Sequence, residues 1–139
     1  KDHVLPLSHN LAKDKTHVHL EARVNWSSTH PIPKGAPKGG FVPYLSITAE
    51  VVNEKTGATQ LVTLTPHINL VDNFHYARNM QLPGNIDDKY RVTFMVEPPV
   101  GNTLSLHNDW MKQYGTQLSS GKTFLFKNLD FEAIAKASR

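Results

Sequence analysis

The chain contains no cysteine, which excludes disulfides, thiolate metal sites and cysteine nucleophiles. It leaves the compartment open, because exported domains need not carry bridges. No window approaches the roughly 18 consecutive apolar residues of a membrane span, so direct membrane insertion is not expected. The opening Lys1-Asp2-His3-Val4 lacks the charged start and apolar run of a secretion leader; an exported form would already have lost it. Charge of one sign is also scarce: 15 Lys+Arg stand against 12 Asp+Glu, a formal +3. Lys and Arg do not cluster around Trp26 or Trp110, so no nucleic-acid partner is expected. G-x-S-x-G, H-E-x-x-H, a Walker loop and G-x-G-x-x-G are all missing, nothing picks out a nucleophile, and the chain is not expected to be an enzyme.

What is present is the material for one domain, 1–139, since 139 residues at 39% hydrophobic close one core. Thr16 to Val24 alternates Val18, Leu20, Ala22 and Val24 with His17, His19, Glu21 and Arg23, the period of two that a half-buried strand requires. Thr29 to Gly40 is rich in proline and glycine and reads as a long exposed loop. Phe41 to Val52 places Leu45, Ile47, Ala49 and Val51 on one face, and Asn53 to Gly57 turns the chain into Ala58 to Thr65, an antiparallel hairpin. Further strands are expected at His75 to Gln81, at Tyr90 to Val96, weakly around Thr103 to His107, and at Lys122 to Lys127 with Phe124 and Phe126 on one side. The one helical signal is Phe131 to Ala137. These elements predict an all-β fold, an immunoglobulin-like antiparallel β-sandwich of about seven strands.

Eight histidines are about 6% of the chain, more than packing requires of a residue only intermediate in its tendency to be buried. They are dispersed, so neither a tag nor a low-complexity tail accounts for them. His19 and Glu21 share one strand face with Cβ atoms roughly 7 Å apart, within reach of one ion. His17 lies on that face too. The same pattern also describes the wet side of an edge strand. His67 ends one strand after Pro66, His75 begins the next, and His107 lies in a third polar connection, Ser105 to Asp109. Together His19, His67, His75 and His107 with Glu21 form a set suited to copper, zinc, nickel or iron rather than calcium or magnesium. Asp87-Asp88 reads as a turn beside Gly84-Asn85 rather than a carboxylate pair.

The ordered motifs His19-Leu20-Glu21-Ala22, Val42-Pro43-Tyr44-Leu45, Asp72-x-x-His75-Tyr76 followed by Asn79, and Glu97-Pro98-Pro99 resemble the periplasmic iron-uptake proteins that accompany a high-affinity iron permease, a group that includes the treponemal lipoprotein antigen. The likeness runs from about His9 to Phe126. It implies an immunoglobulin-like homodimer in the periplasm that binds copper and iron at a histidine-rich site near the dimer interface and passes iron to an inner-membrane permease. It implies His19, Glu21, His75 and His107 as site residues. Thr65-Pro66-His67 departs from the family, which carries a methionine after that proline. Exchanging thioether for imidazole shifts the expected preference from Cu(I) toward Cu(II), zinc or iron. His9 stands near a second family methionine and is a candidate for a further ligand or a second site, and the segment after His107 is shorter than the family's. A storage or resistance protein for copper or zinc, with no iron role, is the alternative reading.

Overall fold

A computed structural model describes residues 17–27, 29, 32, 34–68, 70, 71, 73–99, 105, 107–114 and 121–136. The strands are β1 (His17–Ala22), β2 (Ser46–Asn53), β3 (Thr59–His67), β4 (His75–Gln81), β5 (Lys89–Glu97) and β6 (Lys122–Asp130); the helices are α1 (Asn108–Tyr114) and α2 (Phe131–Lys136). The strands run in the order β1-β4-β3-β2-β5-β6, every pair antiparallel. In β3 the pairing changes hands: residues 59–64 face β2, and Thr65, Pro66 and His67 face Ala77, Tyr76 and His75 of β4. Leu20, Tyr76 and Met80 from β1 and β4 share one buried cluster with Ile47, Ala49 and Val51 of β2 and Tyr90 and Val92 of β5. Strands that far apart in the order can share a core only if the sheet folds back on itself, which makes the molecule the expected all-β sandwich.

The hairpin closes as its turn residues require. Asn53 accepts the Lys55 and Thr56 amides at 2.9 and 3.1 Å, and Gly57 takes φ 75°, a backbone that residues with a Cβ rarely adopt. Asn53 also donates to Asp88 at 2.8 Å, and Asp88 receives the Asn85 amide at 3.1 Å. Those bonds hold the Asp88 carboxyl below the usual range, the Asn53 amide first among them, and Asp88 is a turn residue as expected. The loop from Thr29 is stitched at its base, where Trp26 N–H donates to Gly40 and Val42 N–H to Val24 at 2.8 and 3.0 Å.

Two expectations change. The described residues hold six strands, and the weak strand expected around Thr103 to His107 lies outside them apart from Ser105 and His107, neither of which is in a strand. Directly after it the chain forms α1, where only a polar connection is expected. The His107 carbonyl accepts the Met111 amide at 3.0 Å, the first bond of a helix too short to display a repeating apolar face. At the C-terminal end, α2 forms as expected, with Phe131 against Tyr90 at 5.5 Å between ring centroids.

Tyr76 connects this frame to β4, the strand that begins at His75. Fully buried, it donates its hydroxyl to the Val42 carbonyl at 2.7 Å and accepts the Leu45 amide at 3.1 Å. Burial raises its phenol above the ordinary value, so it stays a neutral donor. Tyr76→Phe should lower stability by about 1–3 kcal/mol, because both backbone groups lose their partner inside the protein. Urea unfolding measures this, and an unchanged midpoint would show that the hydroxyl does not tie residues 42–45 to β4.

Candidate metal centre

Side chains alternate across a strand, so once Leu20 and Tyr76 enter the core, His19 and Glu21 of β1 and His75, Ala77 and Asn79 of β4 face the other way. The register sets His19 opposite Asn79 and Glu21 opposite Ala77, and on the far side of β4 it sets His67 of β3 opposite His75. Ala77 presents only a methyl group in the middle of this face and is itself fully buried. Longer side chains around it therefore lean together over the gap. His19, Glu21 and His75 each bring a donor atom to within 4.8 Å of the other two, the group of this kind found among the described residues. Three donors on one ion at about 2.1 Å lie about 3–3.6 Å from one another in trigonal, tetrahedral or facial octahedral geometry, so closure around an ion draws these atoms together by at most about 1–2 Å, within reach of side-chain rotation.

The hydrogen bonds arrange the imidazoles for coordination. His75 is 2% exposed, and its Nδ1 lies 2.8 Å from the Asn73 carbonyl. A carbonyl only accepts, so Nδ1 carries the proton and Nε2 holds a lone pair. That Nε2 is buried with no hydrogen-bond partner, which is costly for an isolated protein nitrogen and is what a ligand waiting for a metal requires. His19 places its Nδ1 2.6 Å from the Asn79 side-chain oxygen. Glu21 accepts the Arg23 Nε–H on Oε1 at 2.7 Å, and this partly exposed pair orients the carboxylate. Imidazole nitrogens with one carboxylate oxygen fit a transition ion, so the residues present fit copper and iron.

His67 stands beside this group rather than in it. It is 9% exposed, and its ring centroid lies 6.1 Å from that of His19 and 5.6 Å from that of His75. His107 is exposed at the start of α1 and is not part of the group. His9 lies outside the described residues, and of His17 only the backbone, in β1, is described. Sequence reasoning passes over Asn79 and Arg23 as supports. Arg23 carries a usable signal, standing two residues beyond Glu21 on the same strand face; Asn79 becomes visible only through the β1–β4 register.

A stiff β-sandwich presenting converging imidazole and carboxylate donors on one strand pair is a metal-binding protein of the all-β type. The chain belongs to the Fe2+ transport protein family, which it matches over residues 1–132. Among solved structures it is similar to a copper-bound variant of FetP from uropathogenic Escherichia coli, at 26% identity and a TM-score of 0.66, covering 94% of this chain and 83% of that one. FetP expressed recombinantly in the periplasm of E. coli is 27% identical, with a TM-score of 0.57 and coverage of 78% and 70%. Copper-reconstituted P19 of Campylobacter jejuni is 26% identical, with a TM-score of 0.60 and coverage of 81% and 72%. No protein of curated function matches the chain.

Glu21→Gln keeps the side-chain shape and removes the anionic donor. Cu(II) affinity, measured by competition with a chelator of known strength, should fall by at least about tenfold, or about 1.4 kcal/mol. A variant that binds as tightly as the parent would remove Glu21 from the site.

Proposed function

We propose that this protein is a periplasmic copper- and iron-binding protein of high-affinity iron uptake, which captures iron and delivers it to an inner-membrane permease. The observation that carries the reading is the convergence of His19, Glu21 and His75 to within 4.8 Å in a chain of the Fe2+ transport family. Copper is the resident ion and iron the cargo. On this reading His67, whose ring centroid lies 6.1 and 5.6 Å from those of His19 and His75, and His107 are further ligands that join the three converged residues only when the ion binds. Because His67 supplies nitrogen where the family resemblance implies thioether, copper is held as Cu(II) in preference to Cu(I). A mixed set of imidazole and one carboxylate tolerates more than one ion and coordination number, which suits a carrier that must also release its cargo. No covalent substrate chemistry is involved, and the protein is not an enzyme.

The protein works as a homodimer. Ile68, Leu70 and Val71, in the β3–β4 connection that joins His67 to His75, are exposed, and a second copy supplies the apolar cover such side chains favour. Sedimentation should then give a particle of twice the 15.6 kDa chain mass; a monomer at all concentrations would end the dimer reading.

Deletion of the gene should slow growth under iron limitation, with recovery on supplying the wild-type chain but not Glu21→Gln. Iron-limited growth that is unchanged, together with new sensitivity to copper, would favour a storage or resistance protein instead.

A further inference from the structure

We infer that Asn79 is a positioning residue for metal capture: its side-chain carbonyl holds the Nδ1 proton of His19 and leaves Nε2 as the nitrogen that meets the ion. The inference rests on reading this face as a metal site, and it adds a residue that is not itself a ligand. His19 and Asn79 are directly opposed in the β1–β4 register although 60 positions apart in sequence. Their contact, Nδ1 to Oδ1 at 2.6 Å, is short for a nitrogen donor. Both side chains are half-buried, so water competes poorly for either partner.

The chemistry follows from what each atom can do. An amide oxygen accepts and cannot donate, so the imidazole nitrogen facing it must carry the hydrogen. In a neutral ring the other nitrogen then holds the lone pair, and coordination needs that lone pair. A free histidine side chain prefers the opposite tautomer, with hydrogen on Nε2, so an unsupported His19 would have to exchange its proton before binding. At His75 the same function belongs to a backbone carbonyl, that of Asn73, which no side-chain replacement removes. At His19 it belongs to a side chain and can be tested. An amide also leaves the charge of the site to Glu21 and the ion, whereas a carboxylate at this position would make the imidazole a stronger and less readily released ligand.

The test uses the full chain, wild type and as Asn79→Ala and Asn79→Asp, with circular dichroism confirming that each is folded. Long-range proton–nitrogen correlation spectra of the 15N-labelled, metal-free proteins, at alkaline pH where imidazoles are neutral, read which His19 nitrogen carries hydrogen. Competition titration with Cu(II) reads affinity. The wild type should show hydrogen on Nδ1. Asn79→Ala should shift it toward Nε2 and weaken Cu(II) binding by about 10–100-fold, and Asn79→Asp should restore both the tautomer and tight binding. Hydrogen on Nε2 in the wild type, or an Asn79→Ala chain that binds Cu(II) as the wild type does, would overturn the inference while leaving the metal site intact. A wild-type chain that binds no Cu(II) would overturn the reading of the site and the inference with it.

Discussion

Six residue pairs between β1 and β4, from His17 opposite Gln81 to Ala22 opposite Tyr76, hold together two segments more than fifty positions apart in sequence. The donor set depends on that register. Because side chains alternate, a slip of one residue would turn His19 and Glu21 toward the core and expose Leu20. Leu20, Tyr76 and Met80 are all buried in the shared cluster, so the apolar burial that stabilises the sandwich also fixes which way the polar residues face. The Tyr76 hydroxyl strengthens this by tying residues 42 and 45 to the strand that carries His75.

On the polar face the energetics run the other way. A buried nitrogen without a hydrogen-bond partner costs about 1–3 kcal/mol, and His75 Nε2 is such an atom. Burial of that kind persists where it serves a site, and a bound cation would recover the cost. The supports divide into backbone, at Asn73, and side chains, at Asn79 and Arg23. Arg23 has a second consequence. Its positive charge beside Glu21 opposes an approaching cation while it aligns the carboxylate, so the same contact both orients the donor and tempers its pull on an ion.

Legibility followed the range of each signal. The β2–β3 hairpin is local: Ile47, Ala49 and Val51 alternate, Asn53 to Gly57 supplies the turn, and all three apolar residues are fully buried. His19 and Glu21 are equally legible as a pair, because two residues apart on a strand is a local relation. That β1 lies against β4, and so brings His75 to them, is not contained in the periodicity of either segment. Only the family resemblance joins those residues before the fold does. Asn79 belongs to a quoted motif, yet its bond to His19 exists only across the register. The helix α1 is missed for a different reason: seven residues make two turns and show no apolar stripe. In β6 the strand continues past Lys127 to Asp130 through an irregularity in its pairing with β5, with Asn128 at φ 54° and its amide given to Glu54, and alternation cannot foresee a place where alternation breaks.

A metal site on this face of the sheet requires imidazoles and one carboxylate from separate strands to hold a single transition ion. An anomalous-difference map from copper-soaked crystals tests it most directly. One strong peak is expected at about 2.0–2.2 Å from Nε2 of His19, Nε2 of His75 and a carboxylate oxygen of Glu21. A peak bound elsewhere, with these three side chains free of metal, would contradict it.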